Sequence, residues 1–146
     1  MQFNWGPMNL SINMAFKILL NTSTKPKRDV RLRTSQVTPE LMAYIAEKIA
    51  CEIAPQRIIL FGSYARGEAV VDSDLDLFVI QDSQLTNSQI RRQIEYLLWG
   101  RRFSLDLIVR TPAEVMRNIE DNNPFYTQHI FKEGRVLYER PAQTSS

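Results

Sequence analysis

Apolar residues spaced three or four positions apart predict several amphipathic helices in this chain. The clearest series is Leu41, Ile45, Ile49 and Ile53, which begins after a Thr38-Pro39 helix start and stops before Pro55. The same spacing, bounded by capping residues and glycines, recurs further along the chain. The predicted helices cover residues 38–54, residues 86–99, a stretch that begins at residue 111, and residues 123–134.

Short apolar or alternating runs between these helices predict the strands of a sheet. The predicted strands cover residues 57–61, 74–80 and 103–110, with residues 136–138 as a short edge strand. Strands and helices therefore interleave around one sheet. This order predicts an α/β (α+β) fold, a small β-sheet flanked by helices.

The charge of the chain divides it into segments. At 146 residues it has room for one domain, and its net charge of +2 comes from an N-terminal stretch. Residues 17–33 hold six basic residues and one acid, whereas residues 34–146 carry a net charge of −3. We therefore expect a mobile basic arm (1–35), a domain (36–141) and a disordered tail (142–146). A mildly acidic domain argues against a direct nucleic-acid partner.

Single copies of two residue types exclude several kinds of site. Cys51 is the only cysteine and His129 the only histidine, so neither an intramolecular disulfide nor a Cys/His zinc site can form. His129 is interpreted as a surface or interface residue. The apolar patch over residues 10–20 is too short to span a bilayer. A cytoplasmic protein with no membrane partner is the expectation.

Three aspartates lie on the predicted strands in a way that can bring them together. Asp74 and Asp76 are two residues apart, and therefore on one face of a strand, while Asp106 lies opposite the apolar positions of the next strand. Clustered carboxylates repel each other unless a cation is present, and oxygen ligands suit Mg²⁺ or Mn²⁺. The alternative is that Asp74 caps a turn and that Asp76 and Asp106 are ordinary solvated residues.

A glycine-serine turn makes the metal interpretation stronger. Gly62-Ser63 follows an apolar strand and opens a predicted helix, where free backbone N–H groups can bind phosphate. Arg66 lies just beyond and has the reach to contact the same phosphate. Gly62-Ser63, ten further residues and then Asp74-x-Asp76 form a combined pattern that is far less common than either part alone.

The stretch GSYARGEAVVDSDLDLFVI (62–80) resembles the signature of the nucleotidyltransferase superfamily that includes DNA polymerase β. It is more closely similar to that of the minimal members, the MNT domains, and SLDLIV (104–109) is similar to the strand bearing their third carboxylate. The similarity covers residues 38–140 and leaves the arm unmatched. The resemblance implies the polymerase β-like fold with its small mixed sheet.

The resemblance also implies roles for individual residues. Gly62 and Ser63, with Arg66 as an additional contact, would hold the triphosphate of ATP. Asp74, Asp76 and Asp106 would be the catalytic, metal-binding carboxylates for two Mg²⁺ ions. Asp106 has two alternative roles, as ligand of the second ion or as general base on the acceptor hydroxyl.

The size of the chain and the family resemblance together imply which molecule receives the transferred nucleotide. About 100 ordered residues suffice for the catalytic sheet alone, and MNT proteins of this size resemble antitoxins paired with HEPN ribonuclease toxins. The implied activity is transfer of AMP from ATP to a tyrosine of the toxin. The alternatives are a small-molecule, aminoglycoside-like nucleotidyltransferase and a non-catalytic antitoxin that covers its toxin. The sequence is compatible with a homo-oligomer or a hetero-oligomer. The pairs Arg91-Arg92 and Arg101-Arg102 are interpreted as solvated helix ends or as contacts to RNA or an acidic partner.

Overall fold

The computed structural model describes residues 27–142, in which helices cover both faces of a four-stranded sheet. The elements in chain order are a 3₁₀ turn (Val30–Leu32), α1 (Pro39–Ile53), β1 (Arg57–Phe61), α2 (Ser63–Arg66), β2 (Leu75–Ile80), α3 (Asn87–Leu97), β3 (Leu105–Arg110), α4 (Pro112–Glu120), a π-helical turn (Phe125–Ile130) and β4 (Arg135–Glu139). The strand order is β3-β2-β1-β4, with β2 and β3 parallel and the other pairs antiparallel. This mixed sheet flanked by helices confirms the predicted fold class.

Threonine side chains begin the three longer helices. Thr38, Thr86 and Thr111 each accept a hydrogen bond from a backbone N–H in the first turn of α1, α3 and α4, respectively. At Thr86 and Thr111 the backbone N–H of the threonine donates in return to the side chain of the third helical residue, Gln89 or Glu114, which completes a capping box. These bonds satisfy donors that would otherwise lack a partner, so the helix starts are fixed locally by sequence.

One face of the sheet packs against α1 and α3. Its central residues, Leu75, Leu77 and Val79, are completely buried, and the α1 series that begins at Leu41 lies against them. The alternation along β2 therefore places every odd-numbered residue in this core. Burial of such large aliphatic side chains contributes about 1.5–3 kcal/mol each to folding, before the entropy of ordering is counted.

The opposite face of the sheet holds the aspartates only at one end. Beyond Asp76, the same face of β2 continues with Phe78 and Ile80, which α4 and the π-helical turn cover. The ring of Tyr126 meets Phe78 edge to face, with centroids 5.6 Å apart. The second apolar layer therefore ends where the carboxylates begin, which leaves that end of the sheet accessible to a ligand.

Part of the segment predicted as a mobile arm is packed against the domain. The Leu32 side chain is 0% exposed, and Asp29 accepts hydrogen bonds from the Tyr44 hydroxyl and, at 2.7 Å, from Lys48 Nζ. The folded unit thus extends on its N-terminal side to residue 29 at least. Residues 1–26 of the predicted arm and residues 143–146 of the predicted tail lie outside the described residues.

Several element boundaries differ from the sequence-based expectation. Asp74 lies just before β2 rather than inside it, and β3 begins at Leu105 instead of Phe103, whose side chain turns into the core. The last predicted helix is only a π-helical turn, followed by a non-helical turn before Gly134. Within residues 27–142, no helix combines the length and the apolar character that crossing a bilayer would require.

Candidate active site

The turn between β1 and α2 requires glycine for two independent reasons. Gly62 has φ 74° and ψ −154°, a conformation that side chains rarely adopt. A Cβ atom at this position would lie 2.1 Å from Oδ2 of Asp76. The backbone of the predicted phosphate turn is therefore in direct contact with one of the predicted metal-binding carboxylates, although the two are far apart in sequence.

Asp76 and Asp106 are side by side on neighbouring strands. The parallel register of β2 and β3 pairs Asp76 with Asp106 directly, and the antiparallel register of β1 and β2 pairs Phe61 with Asp76. Asp76 is half-buried, whereas Asp106 and Asp74 are exposed. The structure therefore brings the three aspartates and the glycine turn to one end of the sheet, as the sequence predicted.

The environment of Asp76 opposes its ionisation. Burial, followed by the charges of Asp106 and Asp74, raises the pKa of the Asp76 carboxyl to about 6, against a smaller opposing effect of Arg66. A hydrogen bond with the Asp106 carboxyl favours the protonated form of Asp76 as well. The ionised cluster is thus electrostatically unfavourable until a cation joins it.

This raised pKa gives a prediction for the metal-free protein. Because the folded form of Asp76 holds its proton more tightly than the unfolded chain does, the contribution of Asp76 to the free energy of unfolding should fall as pH rises from about 4 to about 6, and then level off. Asp76→Asn should remove this dependence and raise stability at pH 8 by about 1–2 kcal/mol, since solvent screens a half-buried carboxylate. Urea titrations of both proteins in a chelator, between pH 4 and 8, measure the effect. An unchanged pH profile in the variant would contradict it.

Arg66 lies on the turn of helix that follows the glycine, but carboxylates already hold it. Its Nε lies 3.1 Å from Oε2 of Glu68 and its Nη1 lies 3.8 Å from Oε2 of Glu133. Its charge nevertheless lowers the pKa of Asp76, so it acts on the same site. Ser63, the other predicted phosphate contact, is the first residue of α2 and follows Gly62 directly.

Glu133 is a neighbour of the site that sequence reasoning missed. It accepts a hydrogen bond from Gln128 at 3.1 Å, and its Oε2 lies 3.4 Å from Nδ1 of His129 as well as near Arg66. The hydrogen bond from Gln128 and the neighbouring charges of His129 and Arg66 lower the pKa of Glu133. The π-helical turn thus reaches α2 through one carboxylate. No local spacing signals this contact, because a turn remote in sequence supplies it.

The donor chemistry of the cluster fits a hard divalent cation. All three side chains offer carboxylate oxygens, the ligands that Mg²⁺ prefers, and their mutual repulsion is the condition that a cation relieves. Within the described part of the chain, however, no three His, Cys, Asp or Glu side chains form a ready set of metal ligands. Any ion held here therefore needs side-chain adjustment or further oxygen ligands, such as those of a phosphate.

Family comparison agrees with this arrangement. Residues 43–143, more than half of the chain, match the family model described as "Polymerase beta, Nucleotidyltransferase". The chain belongs to this nucleotidyltransferase family, which confirms the resemblance seen in its motifs and the enzyme class that they indicate.

Individual relatives share parts of this chain. A protein of Methanocaldococcus jannaschii named "Putative protein adenylyltransferase" is 34% identical over 83 residues, which cover 57% of this chain and 78% of the relative. A crystal structure titled as a "putative nucleotidyltransferase from Sulfolobus solfataricus" matches at a TM-score of 0.49 and 17% identity, over 94% of both chains. A structure titled "the toxin-antitoxin with AMP-PNP" matches at a TM-score of 0.41 and 20% identity, over 66% of this chain and 73% of the other.

Proposed function

We propose that this protein transfers AMP from ATP to a tyrosine of a partner protein, and that the partner is a cytoplasmic HEPN ribonuclease toxin that the modification neutralises. The observation that carries the proposal is the pairing of Asp76 with Asp106 beside the Gly62 turn. Membership of the nucleotidyltransferase family and the name of the archaeal relative support AMP transfer to protein. The toxin and the tyrosine rest on the resemblance to MNT antitoxins.

The glycine turn is proposed to hold the triphosphate. Because Gly62 has no side chain, phosphate oxygens can approach the backbone beside Asp76, and the Ser63 hydroxyl and N–H can donate to them. Arg66 now contacts the carboxylates of Glu68 and Glu133. Its guanidinium donates to the phosphate when it leaves one of these carboxylates for a phosphate oxygen. These contacts bind and orient the ATP tail, and positioning accounts for much of the rate in phosphoryl transfer.

The carboxylates are proposed to divide between ion binding and proton transfer. Asp74 and Asp76, with Asp106 alongside, would hold two Mg²⁺ ions, which supply charge neutralisation at the phosphates and at the acceptor oxygen. Asp106 is exposed and accepts the proton of the acceptor hydroxyl. The hydroxyl oxygen forms a bond to the α-phosphorus of ATP, the bond from that phosphorus to the β-phosphate bridging oxygen breaks, and pyrophosphate leaves.

Intact mass measurement tests the proposal directly. A HEPN partner encoded beside this protein would be incubated with the protein, ATP and Mg²⁺, and we expect a mass gain of one or more AMP groups on the partner. Asp74→Asn/Asp76→Asn should abolish the gain and still form the complex. Asp72→Asn is the matched control, because it removes an exposed carboxylate from the same loop in a left-handed position that Asn tolerates.

Two results would redirect the assignment. Neutralisation of the toxin by the doubly substituted protein, with no mass gain in the wild type, would indicate an antitoxin that acts by binding alone. A stable enzyme that consumes ATP and modifies a small hydroxyl compound, while the partner stays unmodified, would indicate the small-molecule alternative.

A further inference from the structure

Two glutamates contact Arg66 beside the glycine turn, and they differ in how firmly they are themselves held. Glu68 accepts a hydrogen bond from the Arg66 Nε at 3.1 Å, lies two residues further along the chain, and has a side chain that is 65% exposed. Glu133 lies 3.8 Å from the Arg66 Nη1, comes from the turn before β4, and has a side chain that is 25% exposed. The same guanidinium therefore has one exposed local partner and one partner from a distant part of the chain.

Glu133 is fixed through both its backbone and its side chain. Its N–H donates to the carbonyl oxygen of Gln128 at 2.9 Å, and its Oε1 accepts a hydrogen bond from Nε2 of the same Gln128 at 3.1 Å. The next residue, Gly134, passes so close to Ile130 and Ile59 that a Cβ there would overlap both. The Glu133 carboxylate is thus anchored to the π-helical turn before any ligand binds.

The second oxygen of this carboxylate depends on a neighbouring positive charge. Oε2 of Glu133 is buried and accepts no hydrogen bond from any residue in 27–142. The basic groups near it are Nδ1 of His129 at 3.4 Å and Nη1 of Arg66 at 3.8 Å. A buried carboxylate oxygen is costly unless a charge compensates it, and an arginine is always charged whereas a histidine is charged only when protonated. Arg66 is therefore the permanent compensating charge for this oxygen.

The two contacts leave Arg66 with donors for a further anion. Within residues 27–142 its ion pairs are those with Glu68 and Glu133, and it forms none with the three aspartates. A phosphate at the glycine turn displaces Glu68 most easily, because exposed ion pairs contribute little to stability. The contact with Glu133 can persist at the same time, since a guanidinium carries five N–H donors in a planar fork.

From these contacts we infer that Glu133 is a positioning residue for ATP, which holds the Arg66 guanidinium at the glycine turn while the phosphate displaces Glu68. The inference rests on the proposed function, because it assigns the residue that orients a phosphate contact of the same site. An arginine side chain that is already ordered loses less conformational entropy when it binds its ligand. A guanidinium without the Glu133 contact is also freer to pair with the aspartates instead of the phosphate.

Separate substitution of the two glutamates tests the inference, because each change removes one negative charge from the same arginine. The probe is α,β-methylene-ATP with Mg²⁺, which cannot transfer AMP, and calorimetric titration gives its dissociation constant. Glu133→Gln should raise this constant about 5-fold, the upper range for a partly exposed ion pair. Glu68→Gln should leave it unchanged or lower it. Glutamine keeps the size of the Glu133 side chain and still accepts from Gln128, and a urea titration confirms that the variant is folded.

Arg66→Gln separates positioning from a general structural role. This change alone should raise the dissociation constant at least about 10-fold, because it removes charge-assisted hydrogen bonds to phosphate. Adding Glu133→Gln to it should then have no further effect.

Several results would overturn the inference while the proposed function stands. They are unchanged or tighter binding by Glu133→Gln, an equal loss with Glu68→Gln, no loss with Arg66→Gln, or a further 5-fold loss when Glu133→Gln is added to Arg66→Gln. Wild-type protein that shows no saturable binding of the analogue would overturn the proposed function together with the inference. The expected binding pattern without AMP transfer to the HEPN partner would overturn the proposed acceptor alone.

Discussion

Gly62→Ala is expected to lower the rate of AMP transfer at least about 100-fold, since a displacement near 1 Å of a reacting or orienting group can cost that much. The added Cβ would lie 2.1 Å from Oδ2 and 2.9 Å from Cγ of Asp76, so the carboxyl must move. That carboxyl is held between the turn and Asp106, and a shift would separate it from the position of the phosphates. The rate would be followed with saturating ATP by the mass change of the acceptor.

Gly67→Ala is the matched control for this substitution. Gly67 has φ 73°, nearly the same as the 74° of Gly62, but a Cβ there would have no atom within 4 Å. Gly67→Ala carries the strain of the left-handed region at ψ 22°, about 1–2 kcal/mol, whereas Gly62→Ala at ψ −154° carries more backbone strain and also disturbs Asp76. Similar activities of the two variants would show that contact with the turn does not position the carboxylate.

Gly134→Ala is expected to destabilise the fold by about 2–4 kcal/mol, in the range of overpacked cores. Gly134 leads into β4, and a Cβ there would lie 2.1 Å from the Ile130 carbonyl oxygen and 2.7 Å from Cγ2 of Ile59. Both neighbours are firmly held, because Ile130 and Ile59 belong to the core beneath the π-helical turn. Urea denaturation of the metal-free protein measures the loss.

The same Gly67→Ala protein serves as the comparison for stability. It carries backbone strain without a steric clash. Its free energy of unfolding should therefore fall clearly less than that of Gly134→Ala. A loss below about 1 kcal/mol for Gly134→Ala would mean that the π-helical turn moves away easily from the face of the sheet that carries the aspartates.

The parts of the fold that local sequence specifies were predictable. The apolar series of α1 is buried as its spacing indicates, and the threonine caps begin α3 and α4 where their side chains predict. Alternation along β2 and β3 is enough to place Asp76 and Asp106 on one side of the sheet. These features depend on neighbours within a few residues, or on the two-residue period of a strand.

The parts that tertiary packing decides were not predictable. The π-helical turn has the composition of an ordinary helix, and its i→i+5 hydrogen bond from the Phe131 N–H to the Tyr126 carbonyl adapts it to the sheet beneath. Phe103 is buried in the same core as Leu107 and Val109, as the alternation predicts, yet the strand begins only at Leu105.

The candidate site was predicted by its motifs but not by its neighbours. Residue spacing located the aspartates and the glycine turn, since those positions lie on adjacent strands. The contact of Glu133 with Arg66 depends on how distant elements pack, and no periodicity encodes such a meeting.

The register of β2 and β3 links the chemistry of the protein to its folding. The two strands are separated by the 24 residues between Ile80 and Leu105, so their parallel pairing forms only after that connection closes. Until β3 docks at the edge of the sheet, Asp106 does not lie beside Asp76. A nascent or partly unfolded chain therefore lacks the assembled aspartate cluster, and the proposed AMP transfer would require the completed molecule.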